Sequence, residues 1–174
     1  MNYKFILALD PSGSYNEGKG TTGWCILNAQ DMTITKSHYI QAAGRPCAEH
    51  YWDAHLALIQ KYADKYGDNF VVVIEDYLLY ANKAMSQTNS HFETSRLIGL
   101  LQWYCWKNQI PLEFQTASQV KVRWNDEILV FKKFIKKKGN GYTLPDGTEL
   151  NRHCKDAIRH AAHFATFNNN GGSK

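Results

Sequence analysis

Asp10 and Glu75 each stand at the carboxyl end of an apolar run, Lys-Phe-Ile-Leu-Ala-Leu-Asp and Phe-Val-Val-Val-Ile-Glu. His153 and Asp156 lie one helical turn apart in Asn-Arg-His-Cys-Lys-Asp-Ala-Ile-Arg-His-Ala, on a common helix face. Acids borne on strand ends, joined by a late helical pair, are a donor set able to hold two divalent cations against a phosphodiester. Hydrolysis of that ester needs a deprotonated water on one side and charge relief for the departing 3′ oxygen on the other; two cations roughly 4 Å apart meet both needs. Hard cations such as Mg²⁺ take oxygen ligands and keep some waters, so three carboxylates plus substrate oxygens suffice. Asp10, central in the sheet, would bridge the ions, with Glu75 on one and Asp156 on the other. An imidazole ligand from His153 softens the set and favours Mn²⁺ at least as much as Mg²⁺.

Read singly, these residues have plainer explanations. An Asp before Pro-Ser-Gly is ordinarily a turn residue. His153 can be a helix N-terminal residue, and Asp156 can pair with Lys155 or Arg159 at the surface. Glu75 is harder to set aside, because an acid directly after Val-Val-Val-Ile belongs at a sheet rim and is costly to bury unpaired. Their joint occurrence in this chain order favours a site. Asp76 reads as exposed or as a substitute ligand. His160, one turn past Asp156, reads as packed or solvated, or as a partner standing behind the ligands.

Positioning such a site requires a sheet. Residues 4–10 read as a buried strand stopped by Pro11-Ser12-Gly13. Thr22–Asn28 and Thr33–Ala42 complete an antiparallel three-strand meander. From Pro46 the apolar period changes to three and four residues, predicting an amphipathic helix closed by Gly67. Phe70–Glu75 is continuous and β-branched, as expected for a strand covered on both faces. A long helix from about Thr88 to Asn108 and a strand over Pro111–Thr116 follow. Ser118–Lys121 reads as a turn, Asp126–Lys138 as a helix with a basic tail, and Tyr142–Glu149 as a small hairpin. Asn151 is suited to cap a last helix reaching about Phe167. Trp124 and Phe131 read as core. The order predicts an α/β domain over residues 1–167, a mixed five-stranded sheet with helices on both faces and its strand ends gathered at one rim. Residues 168–174, Asn-rich then Gly-Gly-Ser-Lys, read as a disordered tail.

With 174 residues and 44 % hydrophobic content the chain can bury one core. Cys25, Cys47, Cys105 and Cys154 show no C-x-x-C spacing, which argues against a structural zinc site or a disulfide framework. No apolar stretch is long enough to span a bilayer, and the N-terminus lacks a secretory apolar region, so a cytoplasmic setting is expected. The net charge of +4 is unevenly spread. Between Lys121 and Lys138 seven cations face only Asp126 and Glu127, a local +5 that leaves the rest at −1. The cluster Lys132, Lys133, Lys136, Lys137 and Lys138 is either a solvated face or a surface that tracks phosphates.

The chain resembles the ribonuclease H-like superfamily and, within it, the RuvC-type Holliday junction resolvases. Asp10-Pro11-Ser12-Gly13 followed by Thr22-Gly23-Trp24 is similar to that family's D-P-G-x-x-x-T-G opening, with Ser12 inserted and a longer loop. Val73-Ile74-Glu75-Asp76 is similar to its second acidic strand, Gln119-Val120-Lys121 to its Q-V-K, and His153-x-x-Asp156-Ala157 to its closing D-x-x-D-A, in which some members carry histidine first. The resemblance covers about residues 4–167. It implies a crossover junction endodeoxyribonuclease that uses Mg²⁺ or Mn²⁺, two ions per site, and cuts four-way and other branched DNA as a homodimer. Asp10, Glu75, His153 and Asp156 would be ligands, and Lys121 would reach the scissile phosphate. Tyr77 and Tyr80 occupy the loop where the resolvases carry a wedge that enters the junction, although both rings could equally pack beneath the next helix. The helix bearing Trp103, Tyr104 and Trp106 is the candidate subunit interface. Compact members occur in bacteriophages, where debranching of replicated DNA is the implied role in a bacterial or phage-infected cell. Two other readings share these features: a ribonuclease H acting on hybrids, and a non-catalytic junction-binding protein.

Overall fold

β1 (Phe5–Asp10) lies in the middle of the sheet because both of its faces are apolar and both find cover. Its alternate residues enter two separate cores, Ile6 and Ala8 on one face and Leu7 and Leu9 on the other. The computed structural model describes residues 2–16, 18–76 and 92–169. β2 (Thr21–Asn28) and β3 (Thr33–Gln41) continue from β1 as the antiparallel meander. β4 (Phe70–Asp76) and β5 (Leu112–Thr116) add parallel strands on its other side. The order β3-β2-β1-β4-β5 is the mixed five-stranded sheet predicted from the strand pattern.

One face is covered by α1 (Ala48–Tyr66) and α2 (Glu93–Lys107), through Tyr51, Ile59, Leu97 and Leu101. Gly67 ends α1 at φ 53°, a positive angle that glycine adopts without a Cβ penalty. The start of the long helix predicted from Thr88 lies outside the described residues, and the described helix begins at Glu93. The other face is covered by α5 (Arg152–Phe167), whose Ala157, Ala161 and Ala162 allow close approach to the sheet. Asn151 caps α5 as expected, its side chain accepting from Cys154 N at 2.8 Å.

Four expectations need correction. The segment Ser118–Lys121 is not a turn but lies within a short helix, α3 (Ala117–Arg123), anchored by the buried Val120. The basic segment is not one helix: α4 (Asp126–Phe131) stops before the lysines, and Lys136–Lys138 form β6, which pairs with β7 (Gly141–Thr143) and through it with β8 (Glu149–Leu150). A continued helix would stack Lys132 under Lys136 and Lys133 under Lys137, two repulsive i,i+4 pairs. The strand instead lets Lys138 meet Glu149 at 3.1 Å and Lys136 donate to Pro145 O at 2.8 Å, while Phe134 and Ile135 enter the core. With α4 cut short, Phe131 faces outward and is 79 % exposed, whereas Trp124 is core. The ordered chain also extends past Phe167: Asn169 is 4 % exposed and clasps Tyr3, donating to its carbonyl and accepting from its N–H, each at 2.6 Å. The remainder of the predicted tail, 170–174, lies outside the described residues.

Candidate metal centre

Strand register brings the first two acids together. Leu9 pairs with Ile74 in the parallel β1–β4 ladder, so Asp10 and Glu75 leave adjacent strands at the same level. The third acid arrives on α5, and its path depends on Gly23, the residue opposite Asp10 in the β1–β2 ladder. A Cβ on Gly23 would lie 2.1 Å from the carbonyl carbon of His153 and 2.3 Å from Cys154 N, so only glycine lets the helix start settle there. Gly13 serves the opposite side of the site in the same way, its missing Cβ leaving room for the backbone of Glu93 at 2.1 Å. One oxygen each from Asp10, Glu75 and Asp156 lies within 4.8 Å of the others. They open into a cleft of about 370 Å³ whose lining includes Asp76, Thr94, Lys121, Arg152 and His153.

The turn after Asp10 is fixed by a buried polar network. Tyr51 donates to Ser12 O at 2.6 Å, its hydroxyl lies 3.0 Å from Thr22 Oγ1, and His55 Nε2 meets the same oxygen at 2.8 Å. Burial pushes the His55 imidazole down to about 4, so it serves this network as a neutral ring.

Around the carboxylates the charges are closely interlocked. Burial raises the Asp10 carboxyl above its ordinary range, the hydrogen bond to His153 opposes that, and the neighbouring charges of Glu75 and Asp156 reinforce the rise. Three crowded, partly desolvated carboxylates are the oxygen-rich donor set that a hard divalent cation compensates, so the residues present fit Mg²⁺ or Mn²⁺. Lys121 Nζ lies 3.2 Å from Asp156 and 3.9 Å from Glu75. His153 stands beside the three-oxygen cluster, its Nδ1 2.6 Å from Asp10 Oδ2. His160 is fully buried behind Glu75, with Nε2 2.9 Å from Glu75 Oε2 and Nδ1 3.1 Å from Gln115 Oε1. His160 is therefore packed rather than solvated, and it stands behind Glu75. Asp156 does pair with Arg159, but at 3 % exposure rather than at the surface. Asp126 and Gln115 escaped sequence reasoning, since their approach depends on tertiary packing. Asp76 lines the cleft. Tyr77 and Tyr80 lie outside the described residues.

The Asp10–His153 pair has a pH signature. The hydrogen bond to Asp10, opposed by burial, raises the His153 pKa above its ordinary 6.5. A histidine raised on folding contributes stability that is full below 6.5 and lost as pH climbs through the raised value. In chelator, the difference in Tm between wild type and His153→Gln is therefore expected to be widest in mild acid, with His153 protonated and Asp10 still ionised, and to close in alkali. A difference that does not change with pH would show that the ring acts through packing alone.

No protein-family model and no curated protein matches the sequence. Solved structures do match, and they define the class as an α/β protein of ribonuclease H-like fold. The Thermus thermophilus RuvC structure in complex with a Holliday junction substrate superposes with a TM-score of 0.65 at 12 % identity, covering 96 % of this chain and 98 % of that one. A second Thermus thermophilus RuvC structure gives 0.64 at 11 % identity, covering 92 % and 93 %. The chain thus shares the RuvC fold over nearly its whole length. Among the described residues, no helix is long and apolar enough to cross a membrane.

Proposed function

We propose that this chain is a divalent-metal-dependent endodeoxyribonuclease that resolves four-way DNA junctions and related branched structures. The observation carrying this reading is the convergence of Asp10, Glu75 and Asp156 within 4.8 Å at the rim of a sheet shared with RuvC. Two cations, when bound, activate the attacking water and relieve charge on the departing 3′ oxygen. Asp10, Glu75 and Asp156 would hold them, with His153 holding the Asp10 carboxylate or adding a nitrogen donor. Lys121, on the cleft lining 3.2 Å from Asp156, would donate to a phosphate oxygen and stabilise the charge it develops. His160 orients Glu75 from behind.

The exposed lysines 132, 133 and 136–138 suit phosphates along a DNA arm; Lys132 and Lys133 border the β2–β3 turn at the end of the sheet away from Asp10. Tyr77 and Tyr80 are candidates for stacking at the branch. Paired nicks require two sites, which a two-fold dimer supplies. Trp106 on α2, 76 % exposed, and its half-exposed neighbour Trp103 fit such an interface, whereas Tyr104 is engaged within the chain by Gln60 at 2.6 Å.

Junction binding is expected to weaken steeply with salt. Replacing Lys136 and Lys137 by Gln should lower affinity and flatten the log–log salt slope by about one for each phosphate no longer neutralised. A slope unchanged in the double variant would place the phosphate-binding surface elsewhere.

The reading is tested by offering labelled four-way junctions, linear duplex and RNA–DNA hybrid with Mg²⁺, Mn²⁺ or chelator. Symmetric nicking of the junction with either ion, Mn²⁺ at least as effective as Mg²⁺, is expected. Cleavage confined to the hybrid, or tight junction binding without metal-dependent nicking, would overturn it.

A further inference from the structure

The structure assigns a positioning role to Arg159 and Asp126, which together hold the Asp156 carboxylate from behind and leave its second oxygen turned to the cleft. This inference rests on the proposed metal-dependent nuclease site. Arg159 is largely buried and its guanidinium makes three directed contacts: one terminal nitrogen donates to Asp156 Oδ1, the other to Asp126 Oδ1, and Nε donates to Trp124 O at 2.8 Å. Only a planar fork can span those three acceptors at once, so lysine is no substitute despite its equal charge. Trp124 closes α3 and Asp126 opens α4, which ties the guanidinium to two elements besides its own helix. Asp126 is secured in turn by Lys155 Nζ at 2.7 Å.

Asp156 Oδ2, the oxygen Arg159 does not hold, lies 3.2 Å from Lys121 Nζ on the cleft side. A bare guanidinium this close to a cation site would repel the incoming ions. Asp126 offsets part of that charge, although it shares its carboxylate with Lys155. Ligating carboxylates are commonly steadied by such outer partners, whose loss lowers metal affinity or activity by about 10- to 100-fold.

Arg159→Lys and Asp126→Asn are compared with wild type in three measurements: calorimetric Mn²⁺ titration of the DNA-free protein, single-turnover cleavage of a labelled four-way junction, and junction affinity in chelator. Both variants are expected to bind Mn²⁺ and to cleave about tenfold less well or worse, with junction affinity unchanged. A purely structural role would lower Tm without moving the Mn²⁺ isotherm of the folded protein. If Arg159→Lys does not fold, Asp126→Asn carries the test, because it keeps the Arg159–Asp156 contact and changes a residue nearer the surface. Wild-type Mn²⁺ binding and cleavage in the folded variants would overturn the inference. Wild-type protein that binds Mn²⁺ yet leaves junctions intact would instead overturn the nuclease reading, and the Mn²⁺ isotherms would still decide the positioning role.

Discussion

Asp10→Asn and Glu75→Gln are each expected to bind a four-way junction and no longer nick it, with cleavage reduced by about a thousandfold or more. Both substitutions keep shape and remove one negative charge. The amide replacing Asp10 retains an oxygen for His153, and the one replacing Glu75 retains an oxygen for His160, so the surrounding hydrogen bonds give no reason for the fold to fail. What disappears is the charge that a hard cation requires, and neutral amides replace carboxylates poorly in that role. Binding should survive or tighten, because the exposed lysines are untouched and the cleft repels phosphate less. Asp10→Asn should also make the metal-free protein no less stable, since burial already disfavours the ionised form of Asp10. Gel-resolved cleavage alongside junction titration checks both halves. Nicking retained in either variant would force another residue into that ligand position.

Gly23→Ala is expected to cost about a hundredfold in cleavage, although Gly23 supplies no functional group. Its new methyl would start 2.1 Å from the His153 backbone, and that obstacle is main chain rather than a side chain that can rotate away. Forcing α5 off the sheet should destabilise the protein by about 1–3 kcal/mol, the usual cost of overpacking. The same displacement carries His153 and Asp156 away from Asp10 together, and misplacement by about 1 Å is enough for a loss of that size. Denaturant unfolding and single-turnover cleavage measure the two effects separately. Wild-type values in both would mean that α5 tolerates the shift and that its close approach does not set the site.

How legible the molecule was depended on how local its determinants are. β1 and β4 could be read from their apolar runs because burial on both faces imposes continuous hydrophobicity, and the acids ending them then had to share a rim. Gly23 was visible as part of a motif, but its purpose was not, since the helix it admits is the last in the chain, Arg152–Phe167. In the lysine segment Ile128, Leu129, Phe131, Phe134 and Ile135 keep helical spacing past the true end of α4. Like-charge repulsion and a cross-strand partner at Gly141–Thr143 outweighed that pattern. Arg159 sits three residues after Asp156, so their contact was foreseeable from helix geometry. Its link to Asp126 was not, because it exists only once α4 has docked against α5.

Crystals grown with Mn²⁺ and measured by anomalous scattering would address the metal centre itself. Two peaks roughly 4 Å apart, flanked by Asp10, Glu75 and Asp156, are the expected result. Folded protein saturated with Mn²⁺ and showing no peak within reach of those three carboxylates would contradict a metal-dependent site at this rim.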